Sequence, residues 1–379
     1  MRQRFDPIWF GGSGYNLCGW LHRPRQGGSS GAGILFCNPL GYEEICAHRA
    51  IRDLAEACAG QGFPALRFDY AGTGDSAGDA TDPRQVEGWL ASIEIAGRTL
   101  RAETGATQIV LAGLRIGATL AALCASEEVQ GIIAMAPVIR PRAYLRELRT
   151  LQAAGSPGMS GNAGGLEAGG FQFSEETLKS LGAIDLCKVV IRESKRVLIL
   201  DRDDLPGARD WVDWLGSQGH EVEQQRFAGY SSWMSSPHES VVPGQLLPAV
   251  LTWLGQWQDQ RQTPASTCPA PMRPAESNST CWVQSGTPIR ESIVHLDPEK
   301  RLVGVVTEAV EPRVDLTGCP RRAILLLNAG ATHRIGPGRM STDFARRAAV
   351  EGFVSLRMDL AGVGDSVAAS GDPDNVVYA

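Results

Sequence analysis

The chain lacks the features that would mark a membrane, a zinc site or a nucleic-acid surface. No run of about eighteen apolar residues occurs, so no spanning helix is expected. The opening MRQRFDPIWFGG has no apolar core of a secretory signal, and the expectation is a cytoplasmic protein. With 36 Lys and Arg against 42 Asp and Glu, the net charge is −6, and no basic block offers a face to nucleic acid. Six unclustered histidines and nine cysteines without a C-x-x-C pair provide no zinc ligand set. No metal and no cofactor is expected, the thiols read as reduced, and small acyl or anionic ligands suit the composition best.

What is present is an internal repeat. ILFCNPLGYEE at 34 aligns with ILLLNAGATHR at 324, and GFPALRFDYAGTGDS at 62 aligns with GFVSLRMDLAGVGDS at 352, both at a shift of 290 without a gap. At 379 residues the chain also exceeds the size at which one core stops growing. The reading is a complete first domain, 1–257, a Pro/Ser/Thr-rich linker, 258–286, and the N-terminal part of a second domain, 287–379, whose copy is cut short. The second-copy segment is expected to pack on the first domain or on another chain, because a half sheet leaves edges uncovered.

Short apolar runs at 17–22, 34–38, 65–69, 108–112, 130–135, 196–200 and 221–227 read as strands. Helical patterns fall near 48–60, 83–103, 116–125, 207–217 and 244–257, which implies a mostly parallel, doubly wound α/β sheet. The glycine-rich stretch 155–170 reads as a surface loop.

In such a sheet the ligand site lies beyond the carboxyl ends of the strands. There stand Asn38, Leu40 and Gly41, then Arg115 and Ile116, then Asp203 and Asp204, and finally His238. Asn38, Leu40, Gly41, Arg115 and Ile116 are the candidate ligand contacts. VLAGLRIGATL at 110–120 has the outline of a strand, a sharp turn and a helix, with Gly113 and Gly117 flanking Arg115. The repeated Asp69, Gly72, Gly74 and Ser76 suit a tight structural loop.

Taken in order, these motifs resemble the α/β-hydrolase superfamily, in its serine aminopeptidase-like and esterase-like branch. The tandem arrangement with GLRIGATLA is most similar to hydrolase-like proteins found with bacterial exosortase and exopolysaccharide systems. The resemblance implies an α/β-hydrolase fold over 1–257 with a cap insertion at about 139–187, and a nucleophile, acid and histidine in that order. It assigns Arg115 to the nucleophile position, Asp203 or Asp204 to the acid and His238 to the base. Guanidinium stays protonated and offers no lone pair, so Arg115 cannot attack a carbonyl.

Two readings of Arg115 follow: a clamp for an anion at a helix N-terminus, or an internal salt bridge to Asp203, Asp204 or Glu44. His238 is an orphaned base or a loop residue, and one of the two aspartates is a triad acid or a helix cap. The expected function is a non-catalytic or weakly active module of a tandem hydrolase. The alternative is an active ester, thioester or amide hydrolase, with its nucleophile beyond Ala379 or with a water activated by His238.

Overall fold

The computed structural model describes residues 5–12, 14–24, 31–155, 165–259, 278–311, 322–369 and 371. The first unit opens with a hairpin that the sequence reading only half anticipated, β1 (Asp6–Gly12) and β2 (Tyr15–His22). Strand and helix then alternate through β3 (Ala32–Cys37), α1 (Tyr42–Gly60), β4 (Ala65–Phe68), α2 (Gln85–Thr104), β5 (Gln108–Leu114), α3 (Ile116–Leu123) and β6 (Val129–Met135). Next comes the cap: α4 (Pro141–Gly155), a hairpin of β7 (Gly165–Ala168) and β8 (Phe171–Ser174), and α5 (Glu175–Gly182). The unit closes with β9 (Arg196–Arg202), α6 (Arg209–Ser217), β10 (Glu221–Phe227), α7 (Tyr230–Trp233) and α8 (Leu246–Asp259).

The eight strands order as β1-β2-β4-β3-β5-β6-β9-β10. From β4 to β10 the pairing is parallel, while β1 and β2 are antiparallel. Alternation of side chains along a strand divides the core between the two faces. On β3, Leu35 joins the cluster formed with Ile93 of α2 and Leu120 of α3, whereas Ile34 and Phe36 join the cluster with Leu54 of α1 and Trp253 of α8. Helices therefore cover both faces, as a parallel sheet requires. Ser174 caps α5 by accepting a hydrogen bond from the Thr177 amide, and Gly105 ends α2 in the left-handed conformation.

The second unit is a sheet of five strands, β11 (Ser279–Gln284), β12 (Thr287–His295), β13 (Val303–Ala309), β14 (Ala323–Leu326) and β15 (Val354–Met358), with one helix, α9 (Met340–Val350). Its order is β11-β12-β13-β15-β14. From β12 onward this matches β1-β2-β4-β3 of the first sheet in both order and direction.

Two expectations need correcting. Residues 279–284, assigned to the linker, form β11 because their alternating side chains pair with β12. Residues 165–168, assigned to a surface loop, form β7 and bury Leu166 and Ala168 under the cap. The rest of the glycine-rich stretch, 156–164, and linker residues 260–277 lie outside the described residues, as do 372–379. No described helix is long and apolar enough to cross a membrane.

The units meet along an apolar seam and a buried ionic one. Phe5, Trp9, Cys18 and Trp20 pack with Ile293, Val303 and Val305. Beside them Arg334, fully enclosed, forms ion pairs with Asp75 at 2.7 Å, Asp359 at 2.6 Å and Asp365 at 2.9 Å. Arg346 bonds Glu291 at 2.8 Å and the backbone carbonyl of Asp75.

Candidate functional site

The turn from β5 into α3 keeps a strained shape. Arg115 has φ 53 and ψ −121, a region that side-chain-bearing residues rarely adopt. Two glycines permit the turn. A Cβ on Gly117 would stand 2.0 Å from the Cys37 carbonyl oxygen, and one on Gly113 would stand 2.5 Å from Ala118.

The Arg115 side chain is sealed. Its Nε donates to Glu43 at 2.8 Å and its Nη2 to Glu147 of the cap helix α4 at 2.6 Å. The guanidinium carbon lies 5.4 Å from the ring centroids of both Tyr144 and Tyr230, and the residue is 5% exposed. Burial by itself would lower the Arg115 pKa, but Glu43, Tyr230 and Glu147 reverse that and raise it. Tyr230 adds a hydrogen bond to the same Glu43 oxygen at 3.1 Å.

The salt bridge to Asp203, Asp204 or Glu44 anticipated from the sequence is therefore made by Glu43 and Glu147 instead. Helical phase decides the first: within α1, Glu43 faces the elbow, while Glu44 faces His48 and His333. Asp204 is held by a two-pronged bond from Arg202 at 2.6 Å, which with burial opposing keeps its pKa low. Asp203 is exposed. Neither aspartate caps α6, whose N-cap is Ala208 without a side-chain bond; Asp201 holds the approach to the helix by accepting from the amides of Gly207 and Ala208 at 3.1 Å. His238 is exposed and bonds Ser236 Oγ at 2.8 Å through Nδ1. Among the described residues no hydrogen bond or ion pair joins His238 to Arg115, Asp203 or Asp204. Of the candidate ligand contacts, Asn38, Leu40 and Gly41 line a cavity of about 950 Å³; Arg115 and Ile116 do not.

That cavity lies between the units. The Asp69–Gly78 loop and the β8 aromatics Phe171 and Phe173 form one side, and Arg339, Asp343 and Arg347 of the second unit form the other. Asp69 is the unusual group within it. Burial, with Asp75 and Glu44 adding to the effect, pushes its pKa up to about 7. Gly74 sits against the carboxylate, where a Cβ would meet Asp69 Oδ2 at 2.1 Å. The sequence expectation for Asp69 is a structural one; the cavity is not legible there, because part of its wall comes from second-unit residues such as Trp282 and Arg339, far along the chain.

Residues 41–201 match the family described as Serine aminopeptidase, S33. With the sheet and helix order above, the match gives the first unit the α/β-hydrolase fold, and residues 41–201 are similar to the serine aminopeptidase-like branch of that superfamily. A search of curated proteins gives no match.

Similar solved structures include Est1E from Butyrivibrio proteoclasticus with ferulic acid bound, at 18% identity over 67% of this chain and 98% of that one, with a TM-score of 0.48. The esterase PF2001 of Pyrococcus furiosus is 16% identical over 67% of this chain and 91% of its own, with a TM-score of 0.46. XC6422 from Xanthomonas campestris, described as an α/β serine hydrolase without lid, is 16% identical over 70% and 98%, with a TM-score of 0.43.

Proposed function

We propose that residues 1–257 are a non-catalytic or weakly active hydrolase-like module of a tandem protein. The observation that carries this reading is Arg115: it occupies the strained turn between β5 and α3, where the superfamily has its nucleophile, and is pinned there by Glu43 and Glu147. A guanidinium cannot attack an acyl carbon, and a carboxylate on each side leaves it no need of an anionic ligand. The exposed position of His238 adds support, because among the described residues its one side-chain hydrogen-bond partner is Ser236, and none is at the β5–α3 turn. Even as a general base acting on water, His238 would contribute only about 10² to 10⁴ in rate.

In the same proposal residues 287–379 are the N-terminal part of a second copy, and the connecting linker ends before β11. Matching hydrogen bonds support this. Ser76 Oγ accepts from the Cys18 amide and donates to the Asp69 carbonyl, and Ser366 Oγ does the same with Val303 and Asp359. The cytoplasmic setting expected from the sequence belongs to this proposal too.

The experiment is labelling of the 379-residue chain with a fluorophosphonate probe, followed by turnover of p-nitrophenyl esters. The expected result is no label and no esterase activity above background. Stoichiometric label on a serine of residues 1–257 would overturn the reading.

A second reading, a tandem hydrolase whose working nucleophile belongs to the second copy, draws support from the second sheet. Leu325 and Leu327 are 56% and 63% exposed, while their counterparts Leu35 and Cys37 are fully buried beneath further α/β structure. Reading the gene past codon 379 for a G-x-S-x-G or G-x-C-x-G sequence tests it.

A further inference from the structure

The repeat permits a comparison of two equivalent acidic loops: in one the first aspartate is bonded directly by an arginine, and in the other Arg334 acts only at a distance. In the second copy, Asp359 receives the Arg334 guanidinium at 2.6 Å and the Arg334 amide at 2.6 Å. The neighbouring Asn328 offers its Oδ1 to the Leu360 amide at 2.8 Å. In the first copy the corresponding residues are Asp69, Glu44 and Asn38, at a constant shift of 290. The arginine is replaced by an acid.

Consequently Asp69 accepts one hydrogen bond among the described residues, from the Asp75 amide at 2.8 Å. Asn38 uses its Nδ2 on the Phe68 carbonyl, and its Oδ1 is buried without a partner among the described residues. Glu44 adds negative charge within electrostatic range of Asp69. All three line the cavity between the units. Buried acceptors left unpaired are costly, so this corner of the cavity is short of a donor.

Two of the three arginines on the opposite wall are engaged elsewhere. Arg339 donates to the carbonyls of Gly74, Ser76 and Gly78, and Arg346 is committed to Glu291. The walls beside the acceptors are aromatic: Trp89 is 2% exposed with its Nε1–H unpartnered, and Phe171 stands next to Gly41.

We propose that the cavity is a binding site for an organic cation, a guanidinium or primary ammonium carried on an apolar body. Its charged end sits on Asp69, Asn38 Oδ1 and Glu44, as the Arg334 guanidinium sits on Asp359 in the second copy. A cation supplies several N–H donors to acceptors whose capacity is only partly used, Asp69 bonded to the Asp75 amide, Glu44 to His48 and Asn38 Oδ1 to no described group, and the aromatic walls favour it further through their ring faces. The proposal is independent of whether the first domain hydrolyses anything, because neither Arg115 nor His238 lines the cavity.

The test is calorimetric titration of the 379-residue chain with n-butylguanidinium and n-butylammonium, with n-butyramide and butyrate as neutral and anionic comparators. The expected result is saturable binding of the two cations, at least tenfold tighter than either comparator. Asp69→Asn keeps an acceptor for the Asp75 amide and removes the charge; it should weaken cation binding at least tenfold. Glu44→Gln should weaken it less, and Arg209→Ala, on the exposed face of α6 away from the cavity, should leave it unchanged.

Circular dichroism and a melt accompany each variant. Should Asp69→Asn fail to fold, the comparison of cation with amide on the unaltered chain and the Glu44→Gln titration decide the matter. Equal binding of n-butyramide, preference for butyrate, no binding at all, or unchanged affinity in a folded Asp69→Asn chain would overturn the proposal.

Discussion

Arg67 on β4 donates to Asp365 of the second unit at 2.9 Å, and the contact is returned: Arg357, the counterpart of Arg67, donates to Asp75, the counterpart of Asp365. A pair of contacts in which i meets j and j meets i is the signature of a two-fold interface. Here the two units make it within one chain. All four side chains are buried, so the exchange selects one arrangement of the units more sharply than the apolar seam beside it.

Arg334 ties this interface together by meeting three aspartates at once. Replacing it with leucine leaves three buried carboxylates short of a cation, and the expected loss is about 3 to 5 kcal/mol. Urea denaturation of Arg334→Leu should resolve separate transitions for the two units, where the unaltered chain shows one. A double-mutant cycle on Arg67 and Asp365 should give a coupling of about 1 to 3 kcal/mol. Additive single effects would mean that the ion pair does not hold the units together.

Arg115→Ala separates a structural arginine from a ligand clamp. With Glu43 and Glu147 already bonded to it, the substitution strands the more buried Glu43 and should cost about 3 to 5 kcal/mol. Adding Glu43→Leu should recover part of that loss. Thermal melts with and without small carboxylates are the measurement. An undiminished melting temperature, together with carboxylate protection that disappears in Arg115→Ala, would favour the clamp.

Arg115→Ser places a hydroxyl nucleophile at the turn between β5 and α3, a test of the proposed function. The serine is nevertheless expected to resist a fluorophosphonate probe, because His238 has no contact in the described structure that brings it to the elbow. Rapid stoichiometric labelling at position 115 would mean that His238 and an acid reach the turn after all.

His48 gives a pH dependence with a definite sign. Burial alone would lower its pKa, but the charge and hydrogen bond of Asp365, 3.2 Å away, and of Glu44, 3.1 Å away, raise it to about 9. The unfolded histidine titrates near 6.5. The stabilisation is therefore fully present below about pH 6.5 and lost as pH rises through about 9. Denaturation midpoints should fall between about pH 7 and pH 9, and His48→Asn should flatten that slope. A flat profile in the unaltered chain would refute the pairing.

The repeat, the alternation of strands with helices and the sharp turn at Arg115 are all legible in the sequence, because each is written in local periodicity and glycine spacing. Gly113 and Gly117 mark a turn whose sterics admit no side chain, and near-continuous apolar strands mark a sheet covered on both faces. The partner of Arg115 was not legible. Choosing Glu43 over Glu44 needs the phase of α1, and Glu147 comes from a cap helix whose position follows from packing.

The sequence by itself determined that Arg115 is no nucleophile at this turn, since guanidinium offers no lone pair in any conformation. Only the tertiary structure decided where charge is satisfied and where it is not. Asp359 and Asp69 stand in nearly identical motifs, yet one has an arginine and the other faces an open cavity. That difference depends on which residues 30 or 300 positions away are brought within about 3 Å, the range over which a hydrogen bond forms. Local sequence holds no record of such distances.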